Sequence, residues 1–258
     1  MTGPTGSGKT TTLYTLLNLL NSPEVNISTI EDPIEYRLEG INQIQVNPKT
    51  NLTFADGLRA LLRQDPDIVM VGEIRDKETA GIAINAALTG HLVLATLHTN
   101  DAATTLPRMV EMEVENFLLA ATARMVVAQR LVRKICDSCK ESYELSLEQM
   151  EALGKKFNIK QNLRELVSVM NPGKQSFTLY KGTGCEICNS SGYKGRTAIA
   201  EVMAVSDSIQ KAILENQTPT KLEELAKSEG MSTLFEDGLS KVLSGITTLE
   251  EVLRVMRS

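Results

Sequence analysis

The 258-residue chain has no excess of basic residues, no long apolar run, no cysteine outside two C-x-x-C pairs and only two histidines. Each scarcity narrows what it can be. A formal net charge of −5 removes the basic surplus that usually accompanies nucleic-acid binding, so no nucleic acid is expected as a partner. No stretch approaches the ~18 uninterrupted apolar residues of a membrane span; the longest candidate, Phe117 to Ala128, is short and carries Arg124. Direct membrane insertion is therefore not expected. The first residues do not read as a signal peptide, which points to a cytoplasmic protein, and there paired cysteines read as a metal site rather than as disulfides. Neither an internal repeat nor a low-complexity tract is present. The hydrophobic content of 42% suits a globular chain with one substantial core and a small satellite, or two modest domains.

What is there begins with MTGPTGSGKTTTLY. Gly3 to Thr10 fits G-x-x-x-x-G-K-[ST], a loop whose backbone N–H groups wrap nucleotide phosphates and which normally follows a buried strand. Only Met1 and Thr2 precede it, which leaves the loop with little of its expected anchor. Short β-branched runs then alternate with helical patterns, predicting a mostly parallel sheet covered by helices. Strands are predicted near Asn26–Ile30, Asp67–Val71 and Leu92–Thr96, and helices at Lys9–Leu20, Phe54–Arg63 and Lys77–Leu88, with a helical pair within Ala102–Val127. From Cys136 to Tyr193 the texture changes to a small insert with an acidic helical segment around Leu147–Leu153. A strand at Thr197–Val202 follows, then short helices near Asp207–Glu215, Lys221–Ser228, Leu234–Leu243 and Leu249–Met256. This divides the chain into 1–135, 136–193 and 194–258.

Ligands in open α/β sheets sit beyond the carboxyl ends of the strands, so the residues just past each strand are the candidates. They are Glu31 and Asp32, Gly72 and Glu73, and His98. The loop and its exit, Gly3, Pro4, Thr5, Gly6, Ser7, Gly8, Lys9, Thr10 and Thr11, are the expected nucleotide contacts; Lys9 can reach the β- and γ-phosphates, and Thr10 can place its hydroxyl on Mg²⁺. Glu73 ends an apolar strand and would orient the Mg²⁺ shell or an attacking water. Glu31 offers a second carboxylate for that water, and the sequence leaves open which of the two is the base. If the segment from His91 to His98 is extended, seven residues at roughly 3.3 Å each separate the histidines by about 23 Å, so both cannot touch one phosphate. His98 is the expected γ-phosphate sensor, and His91 serves packing or a neighbouring subunit. Among Arg59, Arg63, Arg75 and Arg108, Arg75 is the expected nucleotide contact, and ion pairs are the plainer reading for the rest.

Cys136, Cys139, Cys185 and Cys188 give C-x₂-C…C-x₂-C with 45 residues between the pairs. Four thiolates suit a closed tetrahedral Zn²⁺ site with no open position, hence a structural one worth on the order of 10 kcal/mol to an insert with little core of its own.

Taken together, GPTGSGKTTTLY, TIEDPIEY, LRQDPDIVMVGEIRDKETA, TGHLVLATLHTNDA, GCEICNSSGYKGRTAIAEVM and GITTLEEVLRVMRS resemble the ATPases that power type II secretion and type IV pilus assembly. The resemblance covers the whole chain. It implies an α/β fold with a RecA-like P-loop NTPase core, a tetracysteine zinc insert and a C-terminal helical region, and hydrolysis of ATP with Mg²⁺ by a homo-hexamer. The ring would act on an inner-membrane platform protein and so lie at that membrane through partners. The insert is similar to those of assembly and secretion motors rather than retraction motors. Members of the family carry a strand and an N-terminal domain before the loop, so the resemblance is to a C-terminal motor domain whose activity alone is open. A DNA-uptake or other nucleic-acid motor, and a nucleotide-binding module without catalysis, are the alternatives.

Overall fold

The computed structural model describes residues 1–156, 165, 166, 169, 173 and 176–256. The chain forms two units that interleave along the sequence: Met1–Gln129 with Glu201–Met231, and Arg130–Ala200 with Ser232–Ser258.

The first unit is built on strands β1 (Ile27–Glu31), β2 (Asn42–Gln45), β3 (Ile68–Val71) and β4 (Leu92–Ala95), all parallel and in the order β2-β1-β3-β4. Every residue of β1 and β3 is buried, as expected of central strands covered on both faces. Helices α1 (Lys9–Leu20), α2 (Phe54–Leu62) and α3 (Lys77–Leu88) cover the sheet. Leu13, Tyr14 and Leu17 of α1 join Ile27, Ile68 and Met70 in one core cluster. A Cβ on Gly57 would sit 2.5 Å from the Ile30 side chain, so glycine there lets α2 lie close on β1. Thr53 caps α2 by accepting from the Asp56 N–H, and Asp76 caps α3 by accepting from the Thr79 N–H, which fixes where each helix starts.

The weak anchor expected of the phosphate loop is not what the structure shows. Thr2 is fully buried and forms parallel bridges to Leu97 on one side and Ala128 on the other. The Thr2 N–H donates to Val127 O at 2.8 Å, and the Gln129 N–H to Thr2 O at 3.1 Å; on the other side the Leu97 N–H donates to Met1 O at 2.9 Å. Two residues thus stand where a strand would, because their backbone groups find partners on both sides.

Three further sequence expectations need correction. Asn42–Gln45 is a strand the sequence did not predict. The helical pair lies within the expected range, as helices α4 (Thr105–Glu111) and α5 (Asn116–Thr122), but a long strand the sequence did not predict, β5 (Met125–Ile135), begins before that range ends. The strand expected at Thr197–Val202 is longer, β8 (Tyr193–Ala204), and pairs with β5.

In the second unit β6 (Lys140–Ser146) and β7 (Ser176–Gly182) form an antiparallel ladder from Lys140 opposite Gly182 to Ser146 opposite Ser176, with helix α6 (Leu147–Lys156) after β6. Met150, Phe177 and Leu179 are buried, so the insert carries more core than its composition suggested. Helices Leu234–Leu243 and Leu249–Met256 belong to the same unit, Gly238 of the first facing Val252 of the second. Glu251, 2% exposed, accepts from Arg133 and from both Nε and a terminal nitrogen of Arg254. Burial pushes the Glu251 carboxyl up, but the hydrogen bonds from Arg133 and Arg254 outweigh it and hold it at about 2. No helix among the described residues is long and apolar enough to cross a membrane.

Candidate functional site

The phosphate loop owes its course to three glycines. Gly3, Gly6 and Gly8 all have positive φ, and a Cβ on Gly3 would run into the Gln129 carbonyl and the Ser7 side chain. Nothing lies within 4 Å of a Cβ built on Gly6, which leaves open space above the loop's crest. The loop delivers the chain into α1 at Gly8, which has no side-chain cap, in contrast to α2 and α3. A helix start leaves its first N–H groups without intrahelical acceptors, and here no side chain answers them. An uncapped helix N-terminus under open space is a fit for phosphate oxygens.

Lys9 is buried and folds back over the loop, its Nζ donating to Gly3 O at 2.7 Å and Pro4 O at 3.2 Å. Burial lowers its pKa, and the Glu73 carboxylate pulls it partly back up. Thr10 is half-buried, Thr5 and Thr11 are exposed, and Ser7 Oγ is buried without a hydrogen-bond partner among the described residues.

The strand ends bring some predicted residues together and keep others apart. Glu73, 7% exposed, follows β3; its carboxylate receives the Arg75 guanidinium and lies 3.3 Å from Nε2 of His98, which follows β4. His98 and Arg75 are themselves exposed, so both contacts lie where the buried Glu73 meets the surface. Glu31, by contrast, points into the core side of the sheet. Thr29 Oγ1 donates to it at 2.5 Å, Gln43 Nε2 at 3.1 Å, and the Tyr14 hydroxyl donates to its other oxygen. Burial, and then the bond to Glu31, push the Tyr14 phenol well above its usual range. Asp32 is exposed beside it. Gly72 lets the chain leading to Glu73 lie close to the end of β1: its Cβ would sit 3.1 Å from both Glu31 Cα and Ile30 O.

His91 lies at the start of β4, and its Nδ1 is 2.9 Å from Ala86 O at the end of α3, where it closes the helix rather than facing the cleft. Arg59 pairs with Glu78 and Arg108 with Glu111 on the surface, as the plainer reading of these arginines had it. The sequence reading missed the hydroxyl chain that holds the His98 segment: Thr2 Oγ1 accepts from the Thr99 N–H at 2.8 Å, and Thr99 Oγ1 is 2.6 Å from Thr2 Oγ1 and 2.7 Å from Thr105 Oγ1. Three threonines scattered over the sequence carry no local signal that they meet.

The four cysteines converge, with all four Sγ atoms within 4.8 Å of one another and the thiols free of disulfides. The Cys136–Cys185 and Cys139–Cys188 separations are 3.9 Å and Cys185–Cys188 is 3.7 Å. A tetrahedron with metal–sulfur bonds of ~2.3 Å has edges of about 3.8 Å, so the thiols fit a zinc ion. At the knuckles Gly182 and Gly192 press backbone on backbone with no room for a Cβ, and the Cys136 N–H donates to Gly192 O at 3.0 Å.

A family model described as "Type II/IV secretion system protein" matches residues 1–254. The chain is 53% identical over 253 residues to the type IV pilus assembly ATPase PilB of Thermus thermophilus, covering 98% of this chain and 27% of that protein. It is 51% identical over 257 residues to type II secretion system protein E of Dickeya dadantii, covering 100% of this chain and 48% of the relative. The chain therefore spans less than half the length of these relatives. Among solved structures it resembles the pilus retraction motor PilT with bound ADP, with a TM-score of 0.68 and 29% identity over 98% of this chain and 59% of that one.

Proposed function

The chain belongs to the type II/IV secretion system protein family, and from that premise we propose that it binds ATP with Mg²⁺ and hydrolyses it as the motor of a pilus-assembly or secretion machine. The observation that carries this reading is the meeting of Glu73 and His98 at the ends of neighbouring strands, with Glu73 in electrostatic reach of Lys9, the first residue of a helix that no side chain caps.

In this reading residues 1–135 carry the nucleotide chemistry. The loop from Gly3 to Thr11 holds the phosphates through backbone N–H groups, and Lys9 exchanges the Gly3 and Pro4 carbonyls for phosphate oxygens. Thr10 would hold Mg²⁺, which when bound neutralises charge on the phosphates. Glu73 is favoured over Glu31 as the group that orients and deprotonates water. Both oxygens of Glu31 are occupied by neutral donors in a buried site, whereas the partners of Glu73, Arg75 and His98, are exposed side chains. His98 then senses the γ-phosphate through Glu73, Arg75 answers charge at the cleft mouth, and Glu31 with Asp32 fixes the end of β1. The cysteine cluster in 136–193 holds zinc as a closed structural site. Assembly as a homo-hexamer, docking on an inner-membrane platform protein and a cytoplasmic position at that membrane complete the reading.

The test is the steady-state ATPase rate per protomer over a wide range of protein concentration, with Lys9→Ala as the control. A rate that climbs with concentration and falls to background in the variant is expected. A rate that survives Lys9→Ala would overturn the assignment of the site.

A further inference from the structure

Gln129 belongs to no motif read from the sequence, yet it touches the phosphate loop from end to end. It lies in β5 and is 4% exposed. Its backbone N–H donates to Thr2 O, the residue that leads into the loop, and its carbonyl is the wall that excludes a side chain at Gly3. Its side-chain Nε2 donates to Ser7 O at 2.8 Å, and its Oε1 accepts from Thr12 Oγ1 at 2.9 Å. Between Ser7 and Thr12 lie Gly8, Lys9, Thr10 and Thr11, the turn from loop into helix.

This geometry selects one side-chain type. The Ser7 carbonyl, buried, needs a donor and the Thr12 hydroxyl, part-buried, needs an acceptor a short distance away; a primary amide offers both at one tip. A glutamate of the same length would set an oxygen against the Ser7 carbonyl, and a methionine would satisfy neither partner. Buried groups left unsatisfied in this way are costly, so the loop would shift to find other partners.

We infer that Gln129 is a positioning residue for the phosphate loop, its amide gripping the loop at Ser7 and the helix at Thr12 so that the turn between them is held in its phosphate-binding shape before nucleotide arrives. The inference rests on reading Gly3–Thr10 as the nucleotide loop. Gln129 touches no reacting atom; it acts through the loop's backbone.

The experiment uses the full 258-residue chain with Gln129→Met, Thr12→Val and Thr12→Ser. Three quantities are measured: amide hydrogen exchange of residues 3–12 without nucleotide, the Kd of a fluorescent ADP analogue, and Tm. In Gln129→Met the loop amides are expected to exchange about tenfold faster while β1 and β3 do not change, and ADP to bind about tenfold more weakly, the scale of one buried hydrogen bond. Thr12→Val, which leaves the Ser7 bond, should show about a threefold effect on both, and Thr12→Ser, which keeps the hydroxyl, none. Exchange that is unchanged in Gln129→Met, or that rises equally across the sheet, would overturn the inference, as would a Thr12→Ser variant as weak as Thr12→Val. If the wild-type chain binds no ADP, the nucleotide reading of the site fails, and the exchange measurement still decides whether Gln129 holds the loop.

Discussion

The surroundings of Glu31 and of Glu73 differ more than their positions do. Glu31 is the last residue of β1 and Glu73 comes two residues after β3, both are buried, and Gly72 packs against the backbone at Glu31. Glu31 is held by two hydroxyls and an amide, all neutral and all packed beneath the sheet's end. Glu73 is held by a histidine and an arginine that are mostly in water, and its field reaches Lys9. A carboxylate whose oxygens are filled by buried neutral donors suits a structural acceptor; one whose partners are exposed side chains at the surface is better placed to change partners. Burial alone would have ranked the two equally. The kind of donor separates them.

That distinction is most exposed to failure in a pair of conservative substitutions. Glu73→Gln is expected to lower kcat by about 10²–10⁴-fold, the usual weight of a general base, with little change in Tm. Glu31→Gln should do the reverse, because one of three buried donors loses its acceptor: a loss of about 1–3 kcal/mol, or about 5 °C in Tm, with kcat within about threefold of wild type. Rates and melting curves for the two variants side by side would settle it, and a Glu31→Gln enzyme as slow as Glu73→Gln would erase the comparison. Tyr14→Phe removes a donor to Glu31 rather than the acid itself, so a smaller fall in Tm, on the order of half that of Glu31→Gln, is expected, with the ATPase rate unmoved. The smallest effect concerns pH. Burial lowers the Lys9 ammonium and Glu73 raises it again. A lysine held below its unfolded value costs stability while charged and regains it as pH rises through the folded pKa, so removing the Glu73 charge moves that crossing to lower pH. ADP affinity measured between about pH 7 and pH 10 should therefore begin to fall earlier in Glu73→Gln than in wild type, while Glu31→Gln follows the wild-type profile.

The parts of this fold that were legible are those where a residue's role is set by its near neighbours in the chain. α1 and α3 were predicted at the bounds the structure gives, and β1, β3 and β4 to within a residue, because these parallel strands read as short apolar runs and α3 carries its cap, Asp76, beside it. β2 was invisible: Asn, Gln, Ile, Gln has no apolar stretch, and only pairing with β1 makes it a strand. β5 was partly mistaken for helix, since a short apolar run does not reveal its own period. In the candidate site, the loop and the four cysteines were singled out by their spacing, and both acids and His98 by their places at predicted strand ends. The partners Gln43, Tyr14, Thr99 and Gln129 did not, because each acts through a contact made by the folded chain and through side chains common in any sequence.

The interleaving of the two units sets an order on how a ribosome can finish them. Residues up to Gln129 emerge first, but their unit also needs Glu201–Met231, which supplies the acceptor for the Ala102 N–H at Glu201 and the donor for Arg124 O at Val205. At 5–20 residues per second, the stretch from Arg130 to Ala200 takes about 4–14 s to make, and throughout it the first unit is incomplete. All four cysteines are synthesised within that interval. The four thiols are thus made before the chain has the pieces that complete its first unit.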